Sequence, residues 1–513
     1  MVHWLGVFKT GKFDRADPAA PGRQDGRQPC LQYYKGGIFY MESLLNVLEA
    51  IDGFVWGPPM LVILVGTGII CTFRTGFLCW RNLGYSLKTT LSRESRESRG
   101  EGDVSSFAAL CTALAATIGT GNIAGVASAL AVGGPGALVW MWISAAFGIT
   151  SKFTECALAV KYRVKNEKGE MLGGPMLAME RGIPSVYGES FRGFGRALAC
   201  AFAFFAVVAS FGIGNLTQGN SIAVAFSYLI QVPQWVIGLI VGFATLIIVV
   251  GGLKSISRVA SVIVPFMAVF YFVCAMIIIL LHITALPGAI VTMFRMAFSV
   301  KAVGGGAAGS VVATMMQAMN KGVARGCFSN EAGMGSAAIT AAAASTEHHS
   351  AFGHIKQGYI NSTGTFWDTF VVCSVTGLSI LTSGVMDQVV VNGKTVLQGA
   401  PLTIAAFEST LGKPGAWLVA ISLALFAFST ILGWEYYGEK ALEYLTRSTS
   451  IAMFYRILFS IIAFVGCVSA FEIAWDISDI LNALMIIPNA ISMLLLVGVL
   501  KKDMDGYQKT IKK

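Results

Sequence analysis

Charged residues are scarce in this sequence. Asp, Glu, Lys and Arg make up 13% of the 513 residues, about half of the roughly 25% that is usual in a soluble domain. The ten cysteines form no C-x-x-C pair, and most of them lie in apolar segments. We therefore predict buried free thiols, and neither a disulfide framework nor a metal site.

Several motifs of catalysis are also absent. The sequence contains no phosphate-binding loop, no G-x-S-x-G nucleophile elbow and no H-E-x-x-H zinc helix, each of which supplies a defined chemistry where it occurs. No nucleophile stands beside a base within any apolar segment. We predict that the protein is not an enzyme and that it needs no cofactor.

Long apolar runs are abundant. Hydrophobic residues account for 55% of the chain, and runs such as 234–251 and 259–281 are nearly unbroken. A run of about 18 residues or more is long enough to cross a bilayer core of about 30 Å. The sequence therefore predicts an all-α polytopic membrane protein. The net charge of +9 is explained by Lys and Arg in cytoplasmic loops and not by binding of nucleic acid.

Residues 1–40 differ in composition from the rest of the chain. They hold six Lys or Arg, several Pro and Gly, and no secretory apolar segment. Apolar periodicity begins only after Met41. We expect the natural start at Met41 and a non-native extension before it; a disordered basic tail is the alternative.

We predict eleven membrane spans after that point. The fourth and seventh are longer than a straight helix needs, and the seventh contains a glycine-rich interruption at 298–306. The spans lie near 54–73, 104–131, 136–160, 195–229, 233–251, 257–282, 286–325, 352–383, 414–440, 451–472 and 475–500.

The loops predict the orientation. Segments 74–103 and 161–196 hold six and seven Lys or Arg, whereas the connection at 230–234 holds none. Because the side richer in cations faces the cytoplasm, we expect the N-terminus outside and the C-terminus inside.

The spans also suggest an internal repeat. Residues 41–100 would form one extra N-terminal helix and a basic cytoplasmic loop. Residues 101–285 and 286–513 would form two repeats of five helices, the second ending in a basic cytoplasmic tail. Since five is odd, the two repeats have opposite topology, and each begins with a glycine-interrupted helix. Interrupted segments at matching positions are a pointer to a transporter binding site.

The second span contains Gly119-Thr120-Gly121-Asn122, which predicts a helix break at mid-membrane. Backbone can leave the helix at that depth only where it is buried in protein or lines a cavity. The half-helix that starts near Asn122 would offer N–H groups to a carboxylate, and the one that ends near Thr117 would offer carbonyls to Na⁺ or an ammonium group. Close helix packing through small residues is the alternative explanation.

Two other spans carry polar residues. Five polar side chains lie among residues 215–221, including Gln218, and such amides can orient a small polar ligand or join helices. Ser429 and Thr430 in the ninth span can supply oxygen ligands to a hard cation, and Trp434 can close a small pocket. Bonding of these hydroxyls to their own helix is the alternative.

Few ionisable residues lie inside the predicted spans, and each is a functional candidate by default. They are Lys152, Glu155, Arg295, Lys301, Asp368 and Glu435. If protons drive transport instead of sodium, Asp368, Glu155 or Glu435 would carry them. A passive channel, with the glycine breaks lining a pore, is a third interpretation.

Several motifs resemble those of the alanine or glycine:cation symporter family of bacteria and archaea. The segment 133–148, Gly-Gly-Pro-Gly-Ala-Leu-Val-Trp-Met-Trp-Ile-Ser-Ala-Ala-Phe-Gly, is similar to the signature of that family except at Val139, where the family usually has Phe. Segments 119–125, 173–176 and 326–336 match as well. The resemblance covers nearly everything from Met41 onward.

That resemblance implies sodium-coupled uptake of alanine or glycine by alternating access. It implies a leucine-transporter-like fold with a 5+5 inverted repeat after one extra helix, in the inner membrane of a bacterium. The implied partners are the amino acid, Na⁺ and lipid, and a monomer is compatible with the sequence. The implied substrate residues are Gly119, Thr120, Gly121, Asn122, Gln218, Phe298 and Trp434. The implied Na⁺ ligands are Ala115, Ile118, Ser429 and Thr430.

Overall fold

The computed structural model describes residues 44–48, 50–98, 100–230, 232–299, 314–346, 351–391, 394–395, 397–469 and 472–511. The chain divides into the units 1–47 and 48–513. In the first unit residues 44–47 are helical, and the expectation for residues 1–40 lies outside the described residues. All that follows concerns the second unit.

The first part of this unit is helical apart from one short hairpin. Its helices are α1 (Pro58–Arg74), α2 (Leu78–Arg81), α3 (Leu83–Leu91), α4 (Arg93–Arg96), α5 (Ser106–Thr117), α6 (Val126–Gly133), α7 (Gly136–Lys161), α8 (Pro175–Leu177), α9 (Ile183–Tyr187), α10 (Arg192–Phe211), α11 (Thr217–Leu229), α12 (Gln234–Val250) and α13 (Gly252–Leu281). Strands β1 (Val164–Lys165) and β2 (Met171–Leu172) pair antiparallel, and a 3₁₀ turn covers Glu189–Phe191.

The second part has the same character. Its helices are α14 (Leu286–Phe298), α15 (Met315–Asn330), α16 (Ser336–Ala342), α17 (Gly353–Thr365), α18 (Ser374–Thr382), α19 (Gly399–Leu411), α20 (Lys413–Thr446), α21 (Ala452–Val468), α22 (Glu472–Leu484) and α23 (Ile486–Ile511). Strands β3 (Val390–Val391) and β4 (Lys394–Thr395) pair antiparallel after a 3₁₀ turn at Val385–Gln388.

Four π-helical segments occur within the described residues. They are π1 (Gly121–Gly125), π2 (Ala178–Gly182), π3 (Gly212–Leu216) and π4 (Phe366–Cys373). Segments of this kind are rare and occur frequently at functional sites. π1, π3 and π4 interrupt long apolar helices, and each holds or adjoins a polar residue of the centre described below.

Six helical stretches within the described residues are long and apolar enough to cross a membrane, or seven if one bent pair is counted as a single span. The bent pair is Ser106–Thr117 with Gly121–Gly133, whose axes differ by 51°. The break predicted at Gly119–Asn122 is therefore present. The count of eleven spans stays a prediction.

The seventh predicted span, 286–325, is wrong in its bounds. Helix α14 ends at Phe298, and a separate helix, α15, begins at Met315 and runs to Asn330. Thr314 starts α15 with a capping box, in which its hydroxyl accepts from the Gln317 N–H at 3.2 Å and its own N–H donates to Gln317 Oε1 at 2.9 Å. The interruption predicted at 298–306 lies largely outside the described residues.

A second break does exist, between α15 and α16. Glu331, Gly333 and Gly335 have φ angles of 51°, 89° and 87°, in the left-handed region that glycine tolerates and other residues rarely adopt. The helix stops at Asn330 and resumes at Ser336. Helix α7 packs along α15, α16 and α17, so this broken helix belongs to the same bundle as α7.

Candidate functional site

The first break ends α5 at Thr117 and leaves Ile118 in a non-helical conformation with ψ of 87°. The Asn122 side chain holds the loop together, because its Oδ1 accepts from the Gly119 N–H at 2.9 Å. Asn122 is fully buried. The Gly119 N–H, predicted to bind a carboxylate, is thus bonded to Asn122 in this conformation.

The other end of the Asn122 amide binds Asp368 in π4. Asn122 Nδ2 donates to Asp368 Oδ1 at 2.6 Å. Ser329 Oγ donates to the two carboxylate oxygens at 3.1 and 2.9 Å, and Thr369 Oγ1 donates to Oδ2 at 2.9 Å. Asp368 is 0% exposed and forms no ion pair with any residue that the structure describes. We call these four residues, Asn122, Ser329, Asp368 and Thr369, the Asp368 cluster.

A buried carboxylate without a cationic partner is costly, since removing an ion from water costs several kcal/mol even after the protein relaxes. Three polar side chains reduce that cost for Asp368 without neutralising its charge. The Asp368 cluster also joins the first break to the C-terminal end of α15, immediately before the second break. It is therefore placed to respond to a positive charge and to transmit that response to both breaks.

The second break carries its own carboxylate, Glu331. Trp434 in α20 donates from Nε1 to Glu331 Oε1 at 3.0 Å, and Ser336 donates to Oε2. The backbone carbonyl of Glu331 accepts from Lys152 Nζ at 3.0 Å. All four residues are buried. Glu331 thus connects the second break to α20 and to α7.

Glu155 stabilises the loop of the second break from beneath. Its Oε2 accepts from the N–H groups of Gly333 and Gly335 at 3.1 and 3.0 Å and from Asn489 Nδ2 at 3.0 Å. Its Oε1 lies 3.4 Å from Lys152 Nζ. Lys152 and Glu155, three residues apart on α7, thus form an ion pair, and the carboxylate also binds the N–H groups that the break exposes.

The residues predicted to bind Na⁺ lie where α20 meets the end of α5. Thr430 Oγ1 donates to the Ala115 carbonyl at 3.2 Å, and a side chain at Gly119 would collide with that hydroxyl. Ser429 is buried beside it and donates to Phe426 O of its own helix at 2.8 Å. Ile118 is buried at the end of the broken helix. The structure therefore brings Ala115 and Thr430 into contact, whereas the Ser429 hydroxyl lies 3.5 Å from Met267 Sδ in α13.

Among the predicted substrate residues, Trp434 and Gln218 are both buried. A side chain at Gly214 in π3 would collide with Trp434, so the two helices are in direct contact. Gln218 follows one turn later; its Nε2 donates to Ile213 O at 3.0 Å, and its Oε1 is buried with no hydrogen-bond partner within the described residues. A free buried acceptor is available to a ligand ammonium group.

Phe298 is not brought to this centre. It ends α14, is 56% exposed, and its ring lies 5.9 Å from that of Trp140. The aromatic residue at the break is instead Phe328, whose Cδ1 would be 3.4 Å from a Cβ at Gly121. Phe328, Ser329 and Glu331 belong to the matching motif 326–336 but were not predicted as site residues. Polar residues beside Gly333 and Gly335, the same signal that marked the first break, could have identified them.

Comparison with known proteins gives this centre a context. A model of the sodium:alanine symporter family matches residues 41–513. The sodium/alanine symporter AgcS of Methanococcus maripaludis is 44% identical over 467 residues, which cover 91% of this chain and 98% of that protein. The chain belongs to the sodium:alanine symporter family. The family resemblance inferred from the motifs is confirmed.

Other relatives differ in their described substrates. A Bacillus subtilis protein described as a probable sodium/glutamine symporter, GlnT, is 37% identical over 91% of this chain and 92% of its own length. Among solved structures, a manganese transporter of Eremococcus coleocola covers 80% of this chain and 90% of its own at 11% identity, with a TM-score of 0.49.

Membership in the sodium:alanine symporter family settles the class of the protein. It is a multi-pass membrane transporter and not an enzyme. The prediction of amino acid symport through transmembrane helices is confirmed at the level of the family. Na⁺ and a small-molecule substrate are the partners that this family implies.

Proposed function

We propose that the protein couples the entry of Na⁺ to the uptake of a small neutral amino acid, alanine or glycine, by alternating access. One observation carries the proposal: two helix breaks meet at a buried polar centre. The Asp368 cluster joins the first break to the end of α15, and Glu331 joins the second break to Trp434. Broken helices with exposed ends are how many secondary transporters bind substrate and ions at mid-membrane.

The substrate would lie between the first break and α20. Thr120 and Gly121 would offer N–H groups to its carboxylate, while Gln218 Oε1 would accept from its ammonium group. Trp434, held by Glu331 at 3.0 Å, would limit the side chain to a small size. Phe328 would cover the pocket beside Gly121, in the role that sequence analysis gave to Phe298.

Na⁺ would bind at the end of α5. The Ala115 carbonyl and the Thr430 hydroxyl are already 3.2 Å apart, and rotation of that hydroxyl would turn a lone pair toward the cation. The Ile118 carbonyl and the Ser429 hydroxyl would complete a set of oxygen ligands, the type that hard cations prefer. A membrane potential of about 100 mV supplies about 2.3 kcal/mol for each charge that enters.

The fold would be that of a leucine-transporter-like protein with eleven spans, the N-terminus outside and the C-terminus inside. The first repeat would begin with α5–α6 and the second with α15–α16, because each is a helix broken at its centre. This shifts the start of the second repeat from 286 to Met315. The bundle of α5–α6, α7, α15–α16 and α17–α18 would rock against the remaining helices.

Transport into proteoliposomes tests the function. Labelled L-alanine is offered under an inward Na⁺ gradient and, separately, under an equal K⁺ gradient at fixed pH. We expect concentrative uptake with Na⁺ alone. Equal uptake in the two gradients would contradict sodium coupling, and uptake of glutamine in preference to alanine would change the substrate.

The Asp368 cluster favours a second coupling ion. A carboxylate that is 0% exposed and forms no ion pair among the described residues would bind a proton or a further Na⁺ during transport. Asp368→Asn keeps the shape and removes the charge, so we expect it to abolish the dependence of uptake on that ion. An unchanged Na⁺ stoichiometry and an unchanged pH profile in this variant would exclude a coupling role.

A further inference from the structure

A second polar cavity lies outside the centre described above. It has a volume of about 200 Å³ and is lined by residues among 52–58, by α15 and by α22. In the proposed orientation the N-terminal end of the first predicted span lies outside the cell, and Asp52, just before that span, lines the cavity. Its polar lining distinguishes it from an apolar groove that lipid would fill.

The cavity is lined by equal numbers of acidic and basic side chains. Asp52 and Asp479 supply two carboxylates, and Lys321 and Arg325 supply two cations. The Oδ1 atoms of Asp52 and Asp479 are buried and have no hydrogen-bond partner within the described residues. Arg325 likewise makes no ion pair with a residue that the structure describes. Buried carboxylate oxygens are normally satisfied, so these atoms point to a ligand that brings both a donor and an acceptor.

Asn320 adds a third unsatisfied acceptor. Its Oδ1 is buried without a partner in the described part of the chain, like those of Asp52 and Asp479. Three free acceptors match the three N–H donors of one ammonium group. Arg325 and Lys321, on the same helix, would be available to the carboxylate of the same molecule.

One aromatic ring separates this cavity from the first break. Phe328 lines the cavity, and the Arg325 guanidinium lies 5.6 Å from the centre of its ring. The Cδ1 atom of the same ring would lie 3.4 Å from a Cβ at Gly121. Movement of Phe328 would therefore connect the cavity to the backbone proposed to bind the substrate.

We propose that this cavity is a second binding site for a zwitterionic amino acid, occupied on the way to the central site. Asp52, Asn320 and Asp479 receive the ammonium group, and Arg325 with Lys321 receives the carboxylate. The volume of about 200 Å³ accommodates an amino acid as small as alanine. The identity of the amino acid rests on the proposed function, whereas the inference that the ligand is a zwitterion rests on the charged side chains that line the cavity.

Binding stoichiometry tests the proposal. The full-length protein in lipid nanodiscs is titrated with glycine, L-alanine and L-glutamine in Na⁺. Gly121→Val blocks the central site, so we expect it to keep one bound amino acid where the unmodified protein binds two. Adding Asp479→Asn or Arg325→Gln to Gly121→Val should weaken the remaining site at least tenfold. Asp387→Asn, an exposed carboxylate at a distant turn, is the matched control and should change nothing.

The outcomes separate this site from the central one. If folded Gly121→Val binds none of the three amino acids, or if both second substitutions leave its binding unchanged, the proposal is overturned. Displacement by propionate or ethylamine alone, each carrying only one of the two charges, would also overturn it. If Gly121→Val binds one amino acid while the unmodified protein shows no Na⁺-driven uptake, this site is supported and the proposed function is refuted.

Discussion

Substitution of Gly121 probes the closeness of the two breaks. A Cβ at this position would lie 3.1 Å from Ser329 Cα and 3.4 Å from Phe328 Cδ1, below the usual separation of about 3.5–4.0 Å between carbon atoms. The Ser329 contact is backbone and cannot be relieved by rotating a side chain. Any added carbon must therefore push π1 away from the end of α15.

The expected size follows from the cost of overpacking, about 1–3 kcal/mol. Gly121→Ala adds one carbon, and we expect this to cost about 1 kcal/mol, which lowers transport efficiency about fivefold. Gly121→Val adds two further methyl groups, and we expect this to cost about 3 kcal/mol, which lowers transport efficiency about 150-fold. The second variant should show no measurable uptake.

Gly125 supplies the matched control. It lies in the same π segment, and the nearest atom to a Cβ there is Thr120 O at 4.0 Å. Gly125→Ala changes backbone freedom in the same way without a collision, so we expect uptake within about twofold of the unmodified protein. Sodium-driven uptake of labelled alanine is measured for each variant after its fold is checked by thermal unfolding. Normal uptake by Gly121→Val, or an equal loss in Gly125→Ala, would show that close approach of the two breaks at Gly121 is not required for transport.

Three further predictions concern single contacts. Thr430→Val removes the hydroxyl that donates to the Ala115 carbonyl and should raise the Na⁺ concentration for half-maximal uptake about tenfold or more, because a hydrogen bond to a charged group contributes about 1.5–3 kcal/mol. Ser422→Ala removes a hydroxyl bonded only within α20 and should leave that concentration unchanged. An equal shift in both variants would contradict the Na⁺ site. Trp434→Phe removes the 3.0 Å bond to Glu331 and should lower the rate of alanine uptake by about tenfold or more, an effect that an unaltered rate would disprove. Arg163→Gln should increase amide hydrogen exchange in segments 100–105 and 341–346, because Arg163 donates at 2.6–2.8 Å to the carbonyls of both segments; unchanged exchange would show that this contact does not hold the two together.

The apolar framework and the first break were predictable because their causes are local. Uninterrupted apolar runs have few alternatives to membrane-spanning helices, and ten of the eleven predicted spans fall on helices of the structure. Two glycines with an amide inside such a run mark a place where the helix cannot continue without cost. The helix break at Gly119–Asn122 is therefore present at the position that the sequence pattern predicted.

The break at 331–335 was not predicted because glycine density is an incomplete signal. The glycine-rich segment at 298–306 drew the prediction, whereas the break at 331–335 contains a glutamate in the left-handed region. A charged residue with φ of 51° is stable there because Trp434 and Ser336 bind its carboxylate. Those partners are supplied by tertiary packing.

The Asp368 cluster could not be assembled from the sequence for a similar reason. Asn122 and Asp368 are separated by 246 residues, and Ser329 comes from a third helix. Asp368 was identified as an intramembrane charge, but its partners depend on how α15 and π4 pack against the first break. The π segments add to the difficulty, since they rotate the side chains that follow relative to a regular α-helix.

In the proposed function, sodium and substrate bind one coupled site formed by the two breaks. Linkage requires Na⁺ to strengthen alanine binding by the same factor as alanine strengthens Na⁺ binding. We would measure the alanine dissociation constant of the purified protein by calorimetry in Na⁺ and in K⁺ at equal ionic strength. We expect alanine to bind at least tenfold more tightly in Na⁺ and this difference to be lost in Thr430→Val. Equal affinity in the two salts would contradict a coupled site for sodium and substrate.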